Sequence, residues 1–293
     1  MEPAWTDRYL WTSDSVRLHY RDYRGGGAST PTLICLPGIT RNLRDFEAFA
    51  ARFAPRFRVI TVSFRGRGES GYAATPLSYV PLTYLQDTSL LINEAGVERI
   101  VIVGTSLGGL VGLLLDVTQR KRIAALVLND VGPEMEEAGL ARVRTMLGRG
   151  GNWPSWLVAA REIARRQGEI YPDWTLDKWL AHAKRLCRVS REGRIVWDYD
   201  AEIAAPFNLP NNASNSAALD LWLALESYRD RPVLSLRGEL SDILSAGAQA
   251  RMAERMPNLS TVTIPRVGHA PTLEEPKAVE ALERFLAGPS QTS

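Results

Sequence analysis

The stretch IVIVGTSLGG, residues 100–109, decides how the rest of the chain is read. Its first four residues are a continuous apolar run of the kind expected for a strand buried on both faces of a parallel sheet. Gly104-Thr105-Ser106-Leu107-Gly108 then gives G-x-S-x-G, and from Leu107 to Thr118 apolar residues recur at three- and four-residue spacing, as on a helix packed against a sheet. A serine at a sharp strand-to-helix turn is held in a strained backbone conformation, and Gly104, Gly108 and Gly109 are small enough for neighbouring backbone to pass close by. The helix that starts here turns its unpaired N–H groups and positive dipole end towards developing negative charge. Ser106 is therefore the candidate nucleophile and the Leu107 N–H the candidate first oxyanion donor.

Working outward, near-continuous apolar runs at 32–36, 58–63, 99–104 and 124–129 alternate with helical patterns at 46–53, 81–95 and 107–118. This alternation predicts βαβ units and an α/β fold, a mostly parallel twisted sheet flanked by helices. Residues 10–23 alternate more strictly and predict a leading antiparallel hairpin turning at Asp14 and Ser15. From 133 to about 215 the alternation gives way to helical, Arg-rich sequence containing Trp153, Trp156, Trp174, Trp179 and Trp197. These residues predict an inserted helical cap, 133–215, closed by a Pro/Asn/Ser-rich connector at 206–216, with the core formed by 1–132 and 216–293. The sheet pattern resumes at 232–237, followed by a helix at 245–256, a strand at 260–265 and a helix at 276–286; 289–293 reads as a frayed tail.

A serine hydroxyl needs a base within hydrogen-bonding reach. Three histidines are available. His19 lies in the first amphipathic strand and His182 in the inserted region, whereas His269 follows the last strand, in the loop position where open α/β sheets bind ligands. His269 is the candidate base. A carboxylate must hold the imidazole in the correct tautomer and stabilise its charged form. Asp242, after the 232–237 strand, gives the chain order Ser, Asp, His and is the first candidate; Asp130, at the end of the 124–129 strand, is the alternative. After the 32–36 strand, Pro37-Gly38-Ile39-Thr40 allows the chain to turn so that the Ile39 N–H becomes the second oxyanion donor, and such donors lower the barrier to acyl transfer. Gly66-Arg67-Gly68-Glu69-Ser70-Gly71 superficially resembles a nucleotide loop, but the phosphate-loop lysine is missing and no helix clearly begins there, so a tight loop bordering the pocket is the better reading.

Composition sets outer bounds. The chain has 293 residues, 45% hydrophobic and 23% charged, typical of a globular protein with ample core. A formal charge of +2 gives little field to attract nucleic acid or an anionic membrane. The basic patches at 161–166 and 184–194 are interrupted by apolar and acidic residues and read as solvated helix faces. Cys35 and Cys187 are far apart and outside any metal-ligand spacing, so neither a disulfide nor a metal or other cofactor is expected. The first residues do not read as a secretory signal, and no run approaches the ~18 apolar residues of a membrane span. A cytoplasmic setting, a small-molecule substrate and no nucleic-acid or membrane partner are the expectations.

Taken together, Leu36-Pro37-Gly38, Arg65-Gly66-Arg67-Gly68-Glu69-Ser70, residues 104–109, Gly238 with Asp242, and Gly268-His269-Ala270-Pro271 ahead of Glu274-Glu275-Pro276 resemble the α/β-hydrolase superfamily. The likeness is to its capped branch of esterases, lactonases, C–C bond hydrolases and proline iminopeptidases, and it spans almost the whole chain. It departs in two places: Pro37 stands where a histidine commonly precedes the glycine, and Ser63 stands where an aspartate commonly lies two residues before the Arg-Gly pair. Serine at 106 argues against the dehalogenases and epoxide hydrolases of the fold, which use a carboxylate. The resemblance implies hydrolysis of a carboxylic ester or lactone through an acyl-enzyme on Ser106. The alternatives are a C–C bond hydrolase of a ring-fission product, an aminopeptidase using Glu134, Glu136 or Glu137 for a substrate ammonium, and a hydrolase-fold small-molecule sensor. The tryptophans fit either a hydrophobic substrate pocket or the cap's own core, and Arg41 either attracts a substrate carboxylate or is an exposed loop residue.

Overall fold

The computed structural model describes residues 4–27, 29–208 and 220–288. Eleven strands form within them: β1 Thr6–Trp11, β2 Arg17–Tyr23, β3 Thr32–Leu36, β4 Val59–Ser63, β5 Ile100–Thr105, β6 Ile123–Asn129, β7 Asn152–Trp153, β8 Cys187–Val189, β9 Ile195–Trp197, β10 Val233–Gly238 and β11 Leu259–Ile264. Eight of these make one sheet in the order β1-β2-β4-β3-β5-β6-β10-β11. From β4 to β11 every pairing is parallel, while β1 and β2 add an antiparallel hairpin at one edge. The hairpin turns where the alternation predicts, with Ser15 at φ 63 and the Thr12 and Val16 backbones bonded across it.

The helices are α1 Glu47–Phe53, α2 Pro81–Glu94, α3 Leu107–Leu114, α4 Asp116–Gln119, α5 Glu137–Met146, α6 Trp156–Gln167, α7 Leu176–Leu186, α8 Leu221–Glu226, α9 Ala246–Arg255 and α10 Pro276–Ala287. The helix expected over 107–118 is therefore broken into α3 and α4. Side chains alternate across the parallel strands, so each strand feeds two cores. Ile34, Ile60, Ile102 and Leu126 pack with Tyr84, Leu91 and Ile92 of α2 and Val111 and Leu114 of α3. Leu33, Cys35, Val59, Val101 and Val103 face the other way, onto Phe49 and Phe53 of α1 and Leu282 and Leu286 of α10. Burial of each such side chain contributes about 1.5–3 kcal/mol, which is why near-continuous apolar runs become central strands.

The segment between β6 and β10 is not purely helical. Besides α5, α6 and α7 it contains the small antiparallel sheet β7-β9-β8. The tryptophans serve its interior: Trp153 packs edge-on to Trp197, and Trp174 and Trp179 cluster with Tyr171 and His182. The expected connector at 206–216 falls largely, and the tail at 289–293 wholly, outside the described residues. Among the described residues no helix is long and apolar enough to cross a membrane.

The Arg65-to-Ser70 motif is a polar staple within this fold. Arg65, 1% exposed, donates two hydrogen bonds of 2.7 Å to Asp87 on α2 and two, of 2.6 and 3.1 Å, to Asp14 in the hairpin turn. The Arg65 bonds, then that from Thr12, hold the Asp14 carboxyl down to about 2. Its share of stability is thus complete above the ordinary carboxylate range and is lost as the pH falls towards 2. Removing one partner of a buried pair leaves an uncompensated charge. Asp87→Ala is expected to lower the unfolding free energy by about 3 kcal/mol, read as a shift in the urea midpoint at unchanged slope; a shift too small to measure would show that Asp14 alone satisfies Arg65.

Candidate active site

The elbow after β5 is set by close backbone approach. A Cβ on Gly104 would stand 2.4 Å from the Gly108 carbonyl oxygen, and one on Gly108 would stand 2.0 Å from that of Leu36. With α3 seated so tightly, Ser106 takes φ 52 and ψ −117, a left-handed conformation unusual for a non-glycine residue. Its Oγ is lifted clear of the turn and donates to Nε2 of His269 at 2.8 Å.

Two neighbouring segments hold the His269 loop. The Gly268 N–H donates to the Ile170 carbonyl at 2.7 Å, and the Tyr171 hydroxyl donates to the Ala270 carbonyl at 2.7 Å. From below, the buried Asn129 amide donates to Thr105 Oγ1 at 3.0 Å and to the Pro271 carbonyl at 2.8 Å. The histidine loop and the serine elbow are thereby tied to the same residue at the end of β6.

The carboxylate that meets the imidazole is Asp130, not the first candidate Asp242. His269 Nδ1 donates to Asp130 Oδ2 at 2.7 Å, which fixes the tautomer with Nε2 as acceptor towards Ser106. Asp130 is fully buried, stands at φ 58, and accepts from the Gly238 N–H at 2.8 Å and the Ser241 hydroxyl at 2.6 Å. Asp242 instead receives two hydrogen bonds from Arg142 on α5, 2.5 Å from Nε and 2.8 Å from Nη2, which hold its carboxyl below the usual range. Across the β10 loop it is Ser241, one position earlier, that faces the imidazole's partner.

Ile39 and Thr40 line the same cavity as Ser106 and His269, and Leu107 begins α3 directly after the serine. Sequence reading did not anticipate Arg67 at this site. Its fully buried guanidinium donates from Nε to the Ile39 carbonyl at 2.8 Å and from Nη1 to the Arg65 carbonyl at 2.6 Å and the Tyr84 hydroxyl at 2.9 Å. Its Nη2 has no hydrogen-bond partner. The loop that lacks a histidine at 37 is held instead by this arginine. The family-like run 65–70 carried the signal, but nothing local shows which of its two arginines turns towards residue 39.

The cavity, about 130 Å³, is small for a ligand site and is lined by Phe46, Val143, Met146, Leu147, Ile170 and Tyr171 together with the charged groups Arg41, Asp45, Arg142 and Arg185. Among the described residues no tryptophan lines it. Arg41 is not the exposed loop residue of one reading: it is bound to Asp45 at 2.5 and 2.8 Å and lies 3.3 Å from His182 Nε2. Burial, reinforced by Arg41, pushes the His182 imidazole well below its ordinary value, so it is neutral. His19 is buried under Tyr9 and pairs with Asp7 at 2.8 Å. Glu134 is bound to Arg251 and Trp222, apart from the cavity lining. Among the described residues no group of three or more His, Cys, Asp or Glu is placed to hold a metal ion.

A strained serine, an imidazole, a buried carboxylate and a cavity at the carboxyl ends of parallel strands define a hydrolase site on an α/β sheet. Residues 33–282 match the model of the alpha/beta hydrolase family, and the chain belongs to that family. It is a hydrolase of small molecules. It is 32% identical over 279 residues to the 3-hydroxybutyrate-oligomer hydrolase of Cupriavidus necator, covering 93% of each chain. It is 25% identical over 274 residues to the 2-(acetamidomethylene)succinate hydrolase of Mesorhizobium japonicum, covering 92% of each. Among solved structures, an alpha/beta hydrolase from Novosphingobium aromaticivorans superposes with a TM-score of 0.92 at 48% identity, over 98% of this chain and 99% of that one.

Arg67→Met is expected to lower kcat by roughly tenfold or more, the scale at which loss of oxyanion-loop geometry is felt, with little change in KM. A KM rise with kcat intact, or parallel loss of folded protein by circular dichroism, would assign Arg67 a purely structural part.

Proposed function

We propose that this chain is a serine hydrolase that cleaves a carboxylic ester of a small substrate through an acyl-enzyme on Ser106. The observation that carries the reading is the continuous hydrogen-bond chain Ser106–His269–Asp130, 2.8 Å and 2.7 Å, opening on the cavity. As Ser106 Oγ attacks the acyl carbon, Nε2 of His269 takes its proton, and Asp130 stabilises the imidazolium. The Ile39 and Leu107 N–H groups receive the developing oxyanion. Collapse expels the alcohol, which takes the proton back from His269; a water then repeats the sequence on the acyl-enzyme and releases the acid. Residues 133–215 act as a cap: Ile170 and Tyr171 restrain the histidine loop, and α5 closes one wall of the cavity.

Two of the other readings, an aminopeptidase and a sensor, fit the groups at the site less well. An aminopeptidase needs acidic groups to hold an ammonium, and the one carboxylate in the lining, Asp45, is occupied by Arg41. The sensor reading gives no role to the fully satisfied Asp130. The Cupriavidus relative supports the ester reading, because an oligomer of a hydroxy acid is a chain of ester bonds.

The test compares two carboxylate variants on short-chain p-nitrophenyl esters and on the 3-hydroxybutyrate dimer. Ser106→Ala should abolish turnover and labelling by a fluorophosphonate. Asp130→Asn should lower kcat by about 10³–10⁴, the scale known for loss of a triad carboxylate, whereas Asp242→Asn should stay within about tenfold of wild type. The reverse ranking would return the acid's role to Asp242, and full labelling of Ser106 with a single turnover would favour a sensor.

A further inference from the structure

The charges around the cavity are unevenly placed. Three guanidinium groups line it, from Arg41, Arg142 and Arg185, against the single carboxylate of Asp45. Arg41 is matched inside the cavity by that carboxylate. Arg142 and Arg185 are matched from behind, by Asp242 and by Glu274 at 2.5 Å, neither of which lines the cavity. Arg142 spends Nε and Nη2 on Asp242, while its Nη1 meets only the weakly accepting Met146 sulfur at 3.6 Å. A guanidinium has five donors in a planar fork, so one edge can be anchored while the other stays available.

The anchor is built into the contact between α5 and the β10 loop. The Glu136 N–H donates to the Ile243 carbonyl at 2.9 Å, and a Cβ on Gly139 would stand 2.1 Å from the Asp242 carbonyl oxygen. The start of α5 is thus seated directly on the loop that carries Asp242, which brings Arg142 and Asp242 together. A part-buried guanidinium anchored along one edge, in a cavity whose lining carries three guanidinium groups and one carboxylate, fits a planar anion.

We infer that Arg142, backed by Asp242, forms a carboxylate-binding subsite, so that the preferred substrates are small esters bearing a free carboxylate. The inference rests on the ester-hydrolase reading for its chemistry, but the binding step is separable from turnover. Asp242 thereby has a defined part: it orients the arginine that reads the substrate's charge.

The test uses Ser106→Ala, which binds without turning over, and two probes of one shape: the linear 3-hydroxybutyrate dimer with its free carboxylate, and the same dimer capped as a primary amide. By calorimetry the acid should bind about tenfold or more tighter than the amide, as expected for charge-assisted bonds to a fixed guanidinium. Adding Arg142→Met should shrink that gap to about twofold or less, with Arg142→Gln in its place should the methionine variant not fold. Equal affinity of acid and amide in Ser106→Ala, no binding of the acid, or a gap that survives the loss of Arg142 would each overturn the subsite. Turnover of the dimer by the unaltered enzyme is read separately: its absence alongside tight, Arg142-dependent binding would strike the ester reading and leave the subsite standing.

Discussion

The site depends on how closely α3 lies over β5 and β3. Gly104 and Gly108 have no room for a side chain because the backbone of the helix and the Leu36 carbonyl occupy that space. This approach has two consequences at once. It drives Ser106 into positive φ, a strain of about 1–3 kcal/mol that persists only where surroundings over-determine it, here through the buried Val111, Leu113 and Leu114 of α3. It also brings the turn after β3 alongside the serine, so that a Cβ on Gly38 would lie 3.8 Å from that of Ser106. Ser106 and the loop holding Ile39 are neighbours for the same packing reason, and Arg67 bonds to that loop through the Ile39 carbonyl.

What could be read from the chain follows the range of the forces involved. The central strands, the elbow and His269 are written in contiguous residues, because burial on both sheet faces requires unbroken apolar runs and a strand-to-helix turn requires glycines at fixed offsets. The small sheet β7-β9-β8 was missed because strands of two or three residues are too short to show alternation. The part played by Arg67 depends on which way one buried side chain turns among Tyr79, Tyr84 and the Ile39 carbonyl, a matter of tertiary packing alone.

The choice between Asp242 and Asp130 was illegible for a similar reason. Both carboxylates follow parallel strands, β10 and β6, that are neighbours in the sheet, and either one gives the chain order Ser, Asp, His. Two facts from distant parts of the chain separate them. Asp130 adopts φ 58, and its carboxylate reaches the β10 loop, where it accepts from Gly238 and Ser241. Arg142, on a helix of the inserted segment, draws Asp242 away. The loop that carries Asp242 supplies instead the hydrogen-bond donors of Asp130.

This division is chemically favourable. A carboxylate stabilises an imidazolium best when its own charge is not already neutralised by a fixed cation. Asp130 is solvated by an amide N–H and a hydroxyl, neutral donors that permit its burial without cancelling its charge. Asp242, bidentate to a guanidinium, has its charge matched and would have less to offer His269. The same pairing that occupies Asp242 makes it a suitable anchor for an arginine, since a bidentate carboxylate holds one edge of the guanidinium and leaves Nη1 with only the Met146 sulfur. Two carboxylates from adjacent strands therefore differ in what they can do, according to whether the donors around them are neutral or charged.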